Sequence, residues 1–423
     1  MARTAEPAGA LESVGAGQRG QALARWINSP WGPATLAFVA YGVFVLERLR
    51  LFHGDVSRFV AAGDVFFTAG PAARVGLTVI HHNIGYDGQF YYLLALNPFG
   101  PHPALAGAMF DTPAYRAQRI LYPFLVWLLT LGGHARFVPL AMLLVNFAAV
   151  VALAALAALV ARRLGAAPSL GVIAVFYPGL LLSLGRDLSE PLALACALGG
   201  VACALDRRWR WAALLLSLAV LGRETTVVFG LALLAAALLA RVTPLPVVRL
   251  PALRLVAREE WRGATLAGLA PLVVGVAWQV VLLLRWGQMG LFADGPKNIG
   301  APLGGIREAM IRWPSLSWPA IYLFTNQAEA LYLLALGALV AVALARQRSG
   351  AFLGLAWAAY LLMGLCLSAI VWIEDWAFMR AMMEYGVTSL LLLTTARPTL
   401  RQVALLATMV VWGLVFVTHV GTY

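Results

Sequence analysis

The sequence has little charge. Only 12% of its 423 residues are Asp, Glu, Lys or Arg, while 61% are hydrophobic. An ordinary soluble domain carries about 25% charged residues. Mean hydropathy is +0.81. So little charge cannot cover a water-facing surface, which excludes a soluble enzyme, a disordered chain and a nucleic-acid binder. Cysteine is scarce too: Cys196, Cys203 and Cys366 all lie in apolar runs, so no disulfide framework is implied. Lysine is nearly absent, with Lys297 alone against thirty arginines, and the excess of Ala, Gly and Leu beside it looks like a GC-rich coding bias. The Gly- and Pro-rich stretch from Gly287 to Gly305 lacks a Walker pattern, which argues against an ATP site. His81 and His82 lie close to Asp87 in sequence and could help form a metal site, but such histidines are more often interfacial and no third ligand has suitable spacing, so no metal or other cofactor is assigned.

Long apolar runs are what the chain does have. A spanning helix needs about 20 apolar residues. Eleven segments meet or approach that: 33–52, 137–161, 168–184, 189–205, 210–222, 225–240, 264–284, 319–344, 350–371, 379–395 and 402–419. The fifth is short. Asn326, Gln327 and Glu329 make 319–330 a candidate re-entrant segment, so the count lies between ten and twelve. The expected fold is an all-α polytopic membrane protein with a long first external loop carrying interfacial helices. Residues 1–32 lack apolar periodicity and read as a cytoplasmic tail, with the first span acting as an uncleaved signal-anchor.

Arginine counting sets the orientation. With the N-terminus inside, the inner segments hold Arg3, Arg19, Arg25, Arg162, Arg163, Arg207, Arg208, Arg210, Arg241, Arg249, Arg254, Arg258, Arg262, Arg346, Arg348, Arg397 and Arg401. Those 17 basic residues face 5 acidic ones, so the inner side carries the whole net charge of +12 and the outer side sums to zero. Membrane insertion thus accounts for the basic balance without nucleic acid. A multi-pass protein of the plasma (inner) membrane is expected, with possible lipid contacts along the basic loop 241–263.

The outer carboxylates are unnecessary for topology and need another reason. Two outer loops are long, 53–136 and 285–318, and loops of that length are usually functional or disordered. The first is rich in aromatics and should form short helices on the membrane surface, one of them capped by Ser57. Within it, Gly85-Tyr86-Asp87-Gly88-Gln89-Phe90-Tyr91-Tyr92 places a carboxylate between two glycines and ahead of three aromatics. The glycines allow close backbone approach, and the aromatics can anchor the segment at the headgroup level, leaving room for a ligand beside Asp87. The same residues also fit a plain Asp-Gly surface turn. Four further clusters fall on outer connections: Arg186, Asp187 and Glu190; Arg223 and Glu224; Glu374, Asp375, Arg380 and Glu384; and Arg116 with Arg119. Each fits a local ion pair closing a tight turn. Together they make an arginine-rich, carboxylate-bearing face suited to a ligand with a phosphate and a reacting hydroxyl.

The layout resembles the GT-C polytopic glycosyltransferases, which use polyprenyl-phosphate-linked sugars. The resemblance covers roughly 30–240. It rests on the long first outer loop with Asp87, the apolar segment Tyr122 to Leu129, the inner Ala161-Arg162-Arg163-Leu164-Gly165, and Phe176-Tyr177-Pro178-Gly179 leading to Arg186-Asp187. Tyr86-Asp87-Gly88 is also similar to the Trp-Asp-Gly of the GPI mannosyltransferase branch. No Asp-Asp or Asp-Glu dyad occurs in the first loop, so the catalytic assignment falls on Asp87 alone. The resemblance implies a GT-C-like catalytic module over 33–240, followed by a C-terminal membrane module over 264–423. It implies sugar transfer from a polyprenyl-phosphate donor to a lipid, glycan or protein acceptor outside, with inversion at the anomeric carbon. Asp87 would be the general base, and Arg119, Arg186, Arg223 and Arg380 would bind the donor phosphate. Tyr86, Gln89, Asp187, Glu190, Glu224, Glu374 and Asp375 would support them. Arg186 and Arg223 are expected to point at one phosphate and to face Asp87. The competing class is a transporter or flippase of a lipid-linked or anionic solute, against which stand the charges at span ends and the lack of matched halves. A non-catalytic assembly subunit is a third class.

Overall fold

The computed structural model describes residues 21, 23–100, 107–242, 260–293, 295–346 and 351–422. Arg3, Arg19, Arg249, Arg254, Arg258 and Arg348, which carry much of the expected inner charge, lie outside the described residues. The rest is almost entirely helical. Helix α1 (Trp31–Leu51) leads into the first long loop, which holds α2 (Ala69–Arg74), α3 (Gly88–Leu96), α4 (Pro113–Ala117) and α5 (Leu121–Leu129). A parallel pair of two-residue strands, β1 (Ala62–Gly63) and β2 (Val79–Ile80), ties that loop together. Then come α6 (Val138–Arg163), α7 (Gly179–Leu184), α8 (Glu190–Leu205), α9 (Trp209–Gly222), α10 (Val227–Val242) and α11 (Trp261–Trp286). The second long loop holds α12 (Gly290–Ala293) and α13 (Gly304–Arg312). The chain finishes with α14 (Ala320–Arg346), α15 (Ala351–Leu365), α16 (Ala369–Trp372), α17 (Asp375–Ala381), α18 (Met383–Leu393) and α19 (Pro398–His419).

Helices α6, α11, α14 and α19 are long and apolar enough to cross a membrane, and α8, α9, α10, α15 and α18 are apolar but shorter. The outward faces are apolar as well: Val273, Val276, Leu284, Val410 and Val417 are all more than half exposed. An apolar exterior of this kind marks a membrane protein. Helix ends follow local rules. Pro139, Pro191 and Pro398 sit in first turns, where a missing N–H costs nothing, and Gly287 ends α11 in the left-handed conformation.

Three expectations change. The third span is broken: Pro168–Phe176 is a 3-10 helix, Tyr177 is extended, and α7 starts after Pro178. Proline disfavours helical backbone in the residue before it, which explains the break. The segment 319–330 is not re-entrant, because α14 runs unbroken through Asn326 and Glu329. Phe90, Tyr91 and Tyr92 do not anchor the loop at the headgroups. They are buried, and with Val60, Phe67, Val79, Tyr122 and Val138 they form the core of a folded layer over one end of the helices. The run Phe90 to Leu96 is apolar all round, and such a helix buries itself rather than lying at a surface.

The same end gathers many helix termini. Arg48, buried at the end of α1, donates through Nη1 to the carbonyls of His419 (2.8 Å) and Val420 (3.2 Å). A cation over the last carbonyls of a helix complements both the free acceptors and the dipole. The turns between α7 and α8 and between α9 and α10, the start of α18 and all of α17 meet beneath the folded layer.

Candidate functional site

Asp87 lies at the start of α3 and holds two arginines. Its Oδ1 accepts from Arg116 Nη1 (2.5 Å) and its Oδ2 from Arg380 Nη1 (2.6 Å). Arg116 is fixed in turn by Asp111 (2.9 and 3.0 Å) and lies over the Phe90 ring. Burial would raise the Asp87 carboxyl, but Arg380, Arg116 and Arg119 outweigh it and hold it well below the usual carboxylate range. The arginines that hold Asp87 are Arg116 and Arg380, not the expected Arg186 and Arg223.

The flanking glycines serve packing, not ligand access. A Cβ on Gly88 would stand 2.3 Å from the Arg186 carbonyl oxygen, and one on Gly85 would stand 2.6 Å from the Ala61 oxygen. Gly85 also has φ of +73°, where a side chain is strained. Gln89 holds the same loop, donating to the Ile84 carbonyl (3.0 Å) and accepting from Gly63 N (3.1 Å). Asp55, not Ser57, caps the nearby 3-10 turn.

The expected local pairs are exchanged between elements. Arg119 forms a two-pronged bond with Glu224 (2.7 and 3.0 Å). Arg223 instead meets Glu190 (3.0 Å) and Glu384 (3.0 Å), with Thr225 bridging to Glu384. Glu190, at the start of α8 and wholly buried, sits among Arg223, Arg380 (3.4 Å) and Arg119 (3.7 Å). Burial raises the Glu224 carboxyl, yet Arg119 and Arg223 bring it down to about 2. Asp187 does not pair with Arg186. It is buried in left-handed backbone beside Asn146 and Tyr122, and burial pushes its carboxyl far up.

Two cavities lie near this cluster, one lined by Arg380, the partner of Asp87, and the other by Tyr86; Asp87 itself lines neither. The first, of about 290 Å³, has Arg119, Arg223, Glu224 and Arg380 on its polar side and Met363, Leu367, Ile370 and Val371 on its apolar side. It shares Gly364 and Tyr385 with an almost wholly apolar groove of about 320 Å³ between α14 and α15. The second, of about 430 Å³, is lined by Tyr86, Arg186, Tyr322, Asn326, Glu374, Asp375, Trp376 and His419. Arg186 and Arg223 thus serve different cavities and do not converge on one phosphate. Burial pushes the Tyr86 hydroxyl up to about 12 and raises the Glu374 carboxyl. Burial also pulls the Arg186 guanidinium down to about 9, so it stays charged at neutral pH.

Sequence reasoning passed over His419 and Trp376. His419 Nε2 lies 2.9 Å from Asp375 Oδ2, and its Nδ1 meets Thr418 Oγ1 (2.8 Å). The available signal was a histidine closing an otherwise apolar helix, since a polar residue near a span end marks a functional surface. Arg116 and Glu384 belonged to the clusters read in the sequence but were not among the assigned residues. Among the described residues, no group of three His, Cys, Asp or Glu side chains could hold a metal ion. No protein-family model, curated protein or solved structure matches this chain.

Proposed function

We propose that the chain is a multi-pass membrane glycosyltransferase of the GT-C type, acting on the extracytoplasmic face of the plasma (inner) membrane. It would have about eleven spans and a cytoplasmic N-terminus. The reading rests on one observation: Asp87 is held by two arginines, one of which, Arg380, lines a cavity with Arg119, Arg223 and Glu224 on one side and apolar residues on the other. That cavity suits a lipid phosphate. The phosphate takes the remaining N–H groups of Arg119, Arg223 and Arg380, since each guanidinium has five and its carboxylates do not use them all. The polyprenyl chain follows the apolar groove beyond Gly364 and Tyr385. Arg186 leaves the expected donor set.

In the transfer, the acceptor hydroxyl oxygen bonds to the anomeric carbon as the bond from that carbon to the phosphate oxygen breaks. Polyprenyl phosphate departs and the hydroxyl proton passes to Asp87. A carboxylate held this far down is a weak base. That suffices where the anomeric carbon is oxocarbenium-like, because the attacking hydroxyl becomes acidic as it bonds. Arg380 touches Asp87 and lines the donor cavity, which couples the base to the leaving group.

The transporter reading keeps one observation, the buried Glu329 within α14. Purified protein in liposomes, given a panel of labelled polyprenyl-phosphate sugars and membrane extract, separates the two. Transfer of label to an acceptor supports the enzyme. Accumulation of label in the lumen without transfer supports the transporter.

A further inference from the structure

We infer that the second cavity binds a sugar carrying a negative charge, a phosphate or a carboxylate, held by Arg186. The inference starts from a difference among the arginines. Arg116, Arg119, Arg223 and Arg380 each have a carboxylate within 4.0 Å. Arg186, at 6% exposure, forms no such pair among the described residues, and its Nε lacks a hydrogen-bond partner. Its guanidinium lies over the rings of Trp376 (3.0 Å to the centroid) and Tyr86 (4.5 Å), which fix its plane. Glu374 and Asp375 line the same cavity of about 430 Å³ and act on this cation only from beyond ion-pair distance, so its burial is only partly compensated. The open position is that of an anion.

The rest of the lining says what the anion is attached to. Asn326 donates its Nδ2 to the Ile373 carbonyl (3.0 Å), leaving its amide oxygen as an acceptor. Glu374 and Asp375 add acceptors, and Asp375 is already oriented by His419. Several acceptors and aromatic walls around one cation suit hydroxyl groups next to one negative charge. A free inorganic phosphate would bring only one or two O–H donors to these acceptors, where a sugar brings several hydroxyls. On the reading proposed above this cavity is the acceptor's, and the acceptor is an anionic glycan.

Binding tests this without any transfer. Glucose 6-phosphate, glucuronate, glucose and inorganic phosphate are titrated into the purified full-length protein by calorimetry. Both anionic sugars should bind, with glucose and phosphate at least about tenfold weaker. Arg186→Ala should weaken the anionic sugars by about 10- to 100-fold, since a hydrogen bond to a charged group is worth about 1.5–3 kcal/mol. Should that variant not fold, Arg186→Lys decides. It keeps the charge but loses the planar fork, and should bind glucuronate several-fold more weakly. Equal binding of glucose and glucuronate, phosphate as tight as glucose 6-phosphate, or unchanged affinity in the Arg186 variants would overturn the site. Intact binding with no transfer from any donor would remove the enzyme reading alone.

Discussion

Glu190 and Glu224 show how single residues hold this end of the molecule. Glu190 is one carboxylate among three arginines, so its neutralisation leaves buried positive charge uncompensated. Removing one partner of a buried pair typically costs 3–5 kcal/mol. Glu190→Gln should therefore lower the melting temperature of the purified protein markedly, and an unchanged melt would show that the cluster is effectively solvated. Glu224 gives a pH prediction. Its folded carboxyl is held down to about 2, chiefly by Arg119 against the effect of burial. The unfolded value is about 4.3, so its stabilisation is complete above that and is lost as pH falls toward 2. Melting temperature should stay level from pH 7 to 5 and drop below, and Glu224→Gln should shrink the drop.

At the scale of elements, close backbone contact positions Asp87. Gly88 lets the start of α3 touch the turn between α7 and α8. Gly88→Ala should destabilise by several kcal/mol, because the clash is with backbone and neither element can yield alone. Gly54→Ala is the comparison: φ there is +82° but the surroundings are open, so only about 1–2 kcal/mol of backbone strain is expected. Similar melts for the two variants would mean that the clash is relieved by movement. In the apolar groove, Ala338 is exposed on α14, and Ala338→Trp should fill the space without harming the fold. Its KM should rise for long-chain polyprenyl donors and stay level for short-chain ones. Much of this scale was legible in the sequence. Apolar length locates the long helices α6, α11, α14 and α19, but it reads the third span as unbroken and misses the break before Pro178. The partners of the charges were not legible. Arg223 sits beside Glu224 in the chain, yet pairs with Glu190 and Glu384, because neighbours at a helix turn point apart. The aromatics after Asp87 misled for a related reason: a short apolar run cannot tell a membrane surface from a buried core.

At the scale of the whole molecule, the described charged residues fall into separate clusters. The outer clusters foreseen in the sequence do come together at one end, while Arg163 pairs with Asp206 and Arg207 with Glu260 elsewhere. The orientation that follows can be read by labelling. A cysteine introduced near His81 should react with an impermeant reagent from outside, and one near Arg208 should not; the reverse pattern would invert the topology. The central claim is that Asp87 takes a proton while a lipid phosphate leaves. Its most direct measurement is single-turnover release of polyprenyl phosphate from a labelled donor, comparing wild type with Asp87→Asn. General base catalysis typically contributes 10²–10⁴-fold. The account predicts release by wild type, a loss of that order in Asp87→Asn, and nearly unchanged donor affinity. Release by Asp87→Asn at the wild-type rate would contradict it.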